Sequence, residues 1–225
     1  MSNKLILGTA QFGSDYGVKH DGQPSVEEIQ KIAQAAWDRG IRTVHTSWQY
    51  NLPKECDDIF KEFEWINKSE DNPDLFYWGR PYGSRLGKSL YDLNEEHKAY
   101  SMIMIPVNVL DSRFRTVWEN KKGMVIARSV FLQGLLLMDE LPQWLPTKSK
   151  MQILDFHIFC LKNHLHAYEA ALGWVLGLDE IDKVIIGVNS AKQLEQLLQV
   201  QPFTWDYDFS ITDENVLDPR RWPKE

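Results

Sequence analysis

Polar residues able to do chemistry fall at the places in this 225-residue chain where an α/β fold would use them. The segment IMIPVNVLDSRFRTVWENKKGMVIARSVFLQGLLLM, residues 103–138, reads as a buried strand, a charged helix and a second strand that opens into a polar turn. Such a βαβ unit sets Asn108 at the carboxyl end of one strand, and Arg128 with Ser129 at the carboxyl end of its parallel neighbour. In α/β folds, ligands bind at those ends. In GVNSAKQLEQ, Gly187 allows close approach and Ser190 stands at a helix N-cap, where exposed amides and the helix dipole can hold a phosphate. A cap serine before an amphipathic helix is also common without any ligand, so that pattern alone leaves both readings open. His45 and Tyr50, on either side of a strand end, could form an acid–base pair. A phenol with a pKa of about 10 works near neutrality only if a neighbouring cation or donor shifts it. Arg80, Arg85 and Lys88 are cations that could do so, or else solvated loop charges. His157, His164 and His166 surround one helix junction, yet no Asp, Glu or Cys completes a ligand pattern, and no metal is expected.

The elements that must position these groups alternate. Leu5 to Leu7 forms a short strand, and Ser25 caps a helix through Arg39, with Glu28 at capping-box spacing and Gly40 as the stop. Thr43 to Thr46 is a second strand, followed by a polar turn through Tyr50 and Asn51. The spacing of Ile59, Phe63 and Ile66 predicts a helix from Pro53 to Asn67, with residues 68–73 as loop. Leu75 to Trp78 and Ser89 to Tyr91 are short strands, with Gly79, Gly83 and Gly87 breaking any helix between them. Strands at 102–107 and 124–128 follow, then helices at 149–163 and 167–177, a strand at 183–187 and a helix at 190–199. This alternation points to a parallel sheet wrapped by helices.

PVNVLDSRF followed by RSVFLQGLLL resembles the sixth and seventh strands of an aldo-keto reductase. KLILGTAQFGSDYGV with GIRTVHTSWQY resembles that family's first two strands, and KVIIGVNSAKQLEQL its last strand and cofactor-binding helix. DLFYWGRP and GKSLYDLNEE are similar to the fourth and fifth strands. The resemblance implies a TIM-type (β/α) barrel, and a full one needs about 250 residues. A reduced barrel missing about one βα unit is therefore expected, with the third strand and helix as the lost pair and the wall either open or closed by fewer strands.

In that family a nicotinamide cofactor gives a hydride to a carbonyl while a tyrosine donates the proton, helped by a Lys, an Asp and usually a His. By resemblance Tyr50 stands at the proton donor and His45 at the Asp. The Lys would come from the third strand, expected to be absent, and the His corresponds to Gly79. The resemblance implies cofactor contacts from Asn108, Ser129, Phe131 and Leu132 on one side, and from Gly187, Val188, Asn189, Ser190, Gln193 and Gln196 on the other. Gln196 stands where a Glu is usual and Leu197 where an Asn is expected. Met104 replaces an amide-bearing Gln, and Leu90 an Asn. The implied cofactor is NADP, bound weakly, and the implied substrate a small carbonyl or sugar-like molecule. The substitutions favour a second reading, an inactive pseudoenzyme that serves as a ligand-binding or protein-interaction module.

A net charge of −7 without a basic cluster excludes nucleic acid and anionic membrane as main partners. The two cysteines, Cys56 and Cys160, are far apart and read as core residues. The N-terminus carries no signal-peptide pattern, so a cytoplasmic protein is expected. Residues 1–202 are assigned to a single barrel domain, and 203–225 to an aromatic tail packed on or near it, in which Arg220 and Arg221 read as solvated. An open barrel edge would need cover, which makes a homodimer the expected assembly.

Overall fold

Strands apolar on both faces need a filled interior on one side and helices on the other. The computed structural model describes residues 2–18, 22–69, 85–93 and 100–223. Along the chain run β1 (Leu5–Gly8), α1 (Ala10–Gly13), α2 (Val26–Asp38), β2 (Thr43–Thr46), α3 (Glu55–Ile59), β3 (Glu64–Ser69), β4 (Arg85–Ser89) and β5 (Met102–Pro106). After these come α4 (Arg115–Glu119), β6 (Met124–Arg128), α5 (Thr147–Lys162), α6 (Ala167–Leu176), β7 (Lys183–Gly187), α7 (Ala191–Leu197) and α8 (Glu214–Leu217). The seven strands pair in sequence order, all parallel, and β7 pairs back to β1 to close the barrel. The barrel is thus reduced from the usual eight strands, and closure leaves no free edge among these seven for another chain to extend. None of the described helices is long and apolar enough to cross a membrane.

The third strand is present, contrary to the sequence expectation. β3 takes the last four residues of the segment read as helix and the first two of the segment read as loop, and pairs with β2 from Thr43↔Glu64 to Thr46↔Asn67. Ile59, Phe63 and Ile66 do fall at helical spacing, but Trp65 is buried as well, which one helical stripe cannot accommodate. A strand solves this with its period of two: Phe63 and Trp65 face the surrounding helices, whereas Ile66 points into the barrel. β4 pairs directly with β3, from Ile66↔Arg85 to Ser69↔Lys88, and so starts earlier than the expected Ser89–Tyr91 strand. The expected strand Leu75–Trp78, with Gly79, Arg80 and Gly83, lies outside the described residues.

Ile6, Ile66, Met102, Met104 and Ile126 fill the barrel interior. A larger core between barrel wall and helices contains Phe12, Ile32, Phe60, Trp65 and Leu172. A third cluster joins α5, α6 and the turn Leu132–Leu137 to the C-terminal segment through Phe209, Ile211, Val216 and Leu217. There Trp205 meets Phe159 edge-on at 4.8 Å, and the Ile211 amide donates to the Leu110 carbonyl at 2.9 Å. These contacts carry the 3-10 turn Pro219–Arg221 to the barrel mouth.

Met104 has no exposed surface and sits at the centre of the interior layer. Met104→Ala should lower unfolding free energy by about 2–5 kcal/mol in urea titration. A loss below about 0.5 kcal/mol would mean the narrow barrel collapses around the gap.

Candidate active site

The carboxyl ends of the strands form the mouth, and local structure there is tightly determined. The His45 carbonyl accepts hydrogen bonds from both the amide and the hydroxyl of Thr9, at 3.0 and 3.1 Å, fastening the end of β2 to that of β1. After Ser47, whose hydroxyl accepts from the Gln49 amide at 3.4 Å, the chain makes one 3-10 turn, Trp48–Tyr50. Asn51 ends that turn in the left-handed region at φ 47°. Gly13, closing α1, lies against the turn so tightly that a Cβ would overlap the carbonyls of Tyr50 and Asn51. The result is an edge-to-face contact between the rings of buried His45 and Tyr50, with centroids 6.3 Å apart.

His45, Tyr50, Lys68, Ser89, Tyr91 and Arg128 share a cavity of about 180 Å³, walled on one side by the Leu217–Arg220 segment. Lys68 comes from β3, so the strand judged missing brings a lysine to the mouth. Its ammonium lies 4.9 Å from the centre of the Tyr91 ring. Arg128, at the end of β6, donates to the Ser89 hydroxyl at 3.1 Å, the Ser129 hydroxyl at 3.2 Å and the Leu90 carbonyl at 2.7 Å. All these acceptors are neutral. Burial opposes ionisation of Tyr91, but the charges of Arg128 and Lys68 and the hydrogen bonds of Lys68 and Ser89 outweigh it and hold the phenol below its ordinary value. Tyr16 behaves oppositely: burial pushes its phenol up despite Arg128.

A second cavity of about 860 Å³ opens from Tyr50 and His45 across the mouth to α7. Ser129 and Phe131 line one flank, and Gly187, Val188, Asn189, Gln193 and Gln196 the other. Gly187 gives the close approach read from the sequence, though its neighbour is the Gln11 amide, which a Cβ would overlap. The Asn189 Oδ1 is buried and has no hydrogen-bond partner among the described residues, so a ligand hydroxyl or amine would satisfy it.

Three of the residues assigned to cofactor contact line neither cavity. Asn108 is fully buried, donating to the Ser129 carbonyl at 3.1 Å and accepting from the Leu110 amide at 3.0 Å; it ties the ends of β5 and β6 together. Leu132 packs in the α5–α6 core. Ser190 spends its hydroxyl on the Gln193 amide at 3.2 Å, as an ordinary cap. Other amides near α7 are also engaged: Ala191 donates to the Glu28 carboxylate at 2.8 Å and Asn189 to the Gln193 side chain at 2.7 Å. Met104 and Leu90 are sealed in the core and offer no polar group to a carboxamide.

Sequence reasoning missed Lys68, placed in a loop, and Arg220, read as solvated; Arg220 instead stands 4.0 Å from the Tyr91 ring centre. Lys88 lines neither cavity. Among the described residues no three His, Cys, Asp or Glu side chains gather as a metal would need.

Beside the small cavity Arg113 grips fully buried Asp111 with two bonds, Nε to Oδ1 at 2.9 Å and Nη2 to Oδ2 at 2.8 Å. Removing the guanidinium strands a buried carboxylate. Arg113→Met should therefore cost about 3–5 kcal/mol in chemical denaturation, and a neutral result would refute the importance of this pair for the wall.

No protein-family profile and no curated protein sequence matches the chain. Solved structures do. An aldo-keto reductase from Bacillus halodurans in its holo form superposes with a TM-score of 0.65 at 12% identity, over 89% of this chain and 88% of that one. A glycerol dehydrogenase from Gluconobacter oxydans gives 0.58 at 15% identity, over 99% and 94%. The apo form of the Bacillus halodurans enzyme gives 0.59 at 15%, over 78% and 82%. The chain has the aldo-keto reductase barrel fold, in a form reduced to seven strands.

Proposed function

We propose that this protein is a nicotinamide-dependent oxidoreductase, using NADP(H) on a small carbonyl or sugar-like substrate in the cytoplasm. One observation carries the reading: Tyr50, His45 and Lys68 meet in a cavity that adjoins a much longer cleft at the carboxyl ends of the strands. The cleft suits an extended dinucleotide, and the orphaned Asn189 Oδ1 supplies an acceptor for one of its hydroxyl or amino groups. Ser129 and Phe131 would hold the end near the small cavity, with Gly187, Val188, Asn189, Gln193 and Gln196 around the other. A bound reduced nicotinamide supplies hydride to the carbonyl carbon. The chain's part is to hold the carbonyl oxygen by hydrogen bonds from Tyr50 and His45 as charge develops on it.

Binding is expected to be weak, for two reasons. Leu90 and Met104 leave a carboxamide without the partners the resemblance implies, at about 1–3 kcal/mol for each buried group left unmade. Glu28 also sets a carboxylate on the Ala191 amide at the start of α7, against an incoming phosphate. These features favour the alternative, an inactive ligand-binding relative, if no cofactor is retained.

Calorimetric titration with NADPH and NADH decides between them, with saturable binding expected. Glu28→Gln should strengthen NADPH binding by about fivefold, since one opposed charge in this setting is worth about 1 kcal/mol, and change NADH binding less. No heat at millimolar cofactor, in wild type and variant alike, would leave the ligand-binding alternative.

A further inference from the structure

Three cations converge on one phenol that the reading above does not use. Tyr91 follows β4, and its ring centre lies 4.9 Å from the Lys68 ammonium, 4.4 Å from the Arg128 guanidinium carbon and 4.0 Å from that of Arg220. They arrive from β3, from β6 and from the C-terminal turn, so three separate parts of the chain direct positive charge at one side chain. Arg220 is neutralised by Asp218, in bonds of 2.9 and 2.6 Å. Among the described residues Arg128 bonds only to neutral oxygens, and Asp111 is already engaged by Arg113. Tyr16 also faces Arg128 and Tyr91, and His45 and Tyr50 stand across the same cavity. A cation over an aromatic ring attracts the neutral ring, but it favours the anion formed by ionisation far more. Such surroundings suit a group that gives up a proton and carries negative charge for a time.

We propose that Tyr91, held among Lys68, Arg128 and Arg220, is the acid–base phenol of this site and delivers the proton to the substrate oxygen, with Tyr50 orienting that oxygen. This rests on the oxidoreductase reading for its substrate. In the reductive direction the Tyr91 O–H bond breaks, its proton bonds to the carbonyl oxygen as hydride reaches the carbon, and the phenolate left behind is compensated by Lys68 and Arg128. Solvent then returns the proton. The same hydroxyl is hydrogen-bonded with Lys68 and Ser89, so the lysine serves Tyr91. The direction of the Tyr91 shift agrees with this role, since a phenol matched to working pH must ionise more readily than an ordinary one.

Near-ultraviolet titration of tyrosinate tests the assignment without cofactor or substrate. Wild type should show one phenol ionising below the ordinary value; the step should vanish in Tyr91→Phe and persist in Tyr50→Phe. Arg220→Met, a change on the outer wall, should move the step to higher pH, because it leaves the Asp218 carboxylate without its two-point partner beside the phenol and so disfavours the phenolate. In turnover with NADPH, Tyr91→Phe should lower kcat about a hundredfold, and Arg220→Met should carry the alkaline limb of reduction upward with the titration. A step that survives in Tyr91→Phe, is lost only in Tyr50→Phe or is absent from wild type would overturn the proposal. So would full turnover in Tyr91→Phe. Failure to bind nicotinamide would sink the oxidoreductase reading instead, and the titration would still decide which phenol is acidic.

Discussion

Closing a parallel barrel with seven strands brings β3 and β4 side by side, and the mouth takes its character from that junction. Strand pairing is not negotiable in the interior, because every buried amide and carbonyl needs a partner. Once Ile66↔Arg85 to Ser69↔Lys88 is set, Lys68 and Tyr91 must emerge as near neighbours on the rim. The interior layer responds in kind, packed with the aliphatic and thioether side chains of Ile6, Ile66, Met102, Met104 and Ile126. The position where the resemblance called for a polar reader of the cofactor thus became part of the packing. Shape and recognition are coupled here through volume.

Charge is distributed against the overall composition. The chain is acidic, at −7, yet Lys68, Arg113, Arg128 and Arg220 all line the small cavity. Two of them are held by carboxylates in fixed two-point geometry, Arg113 by Asp111 and Arg220 by Asp218. Such planar pairing fixes the direction of a guanidinium as well as neutralising it. Arg128 is oriented just as firmly but by neutral oxygens, so its charge remains available to the cavity.

Local patterns were legible in the sequence, and non-local ones were not. The strand limits Thr43–Thr46 and Met124–Arg128 agree with the sequence reading, the second resting on a short apolar run, and Ser25 caps α2 as its spacing indicates, accepting from the Glu28 amide at 3.3 Å. The same motif also misled: the Glu28 side chain reaches across to Ala191 rather than back to its own cap. β3 was obscured because Ile59, Phe63 and Ile66 fall at helical spacing although Phe63 and Ile66 lie on opposite faces of the extended chain, and the burial of Trp65 is what excludes the helix. With β3 went Lys68. Asn108, Leu132 and Ser190 have the side chains that the resemblance implies for cofactor contact but spend them internally, which only three-dimensional neighbours reveal. Arg220 could not have been placed, since nothing around it in the chain points to Tyr91.

The pairing of β1 with β7, from Leu5↔Val184 to Gly8↔Gly187, joins the first strand to the last. Contacts so distant in sequence form late, after the entropy of a long loop has been lost. During synthesis β1 therefore waits with its apolar faces exposed until β7 has left the ribosome, and the cavity is not walled until Arg220 follows. A ribosome stalled between those points would hold a nearly complete barrel with no working mouth. Closure of the barrel accordingly waits for β7, and the need for chaperones should be concentrated before it.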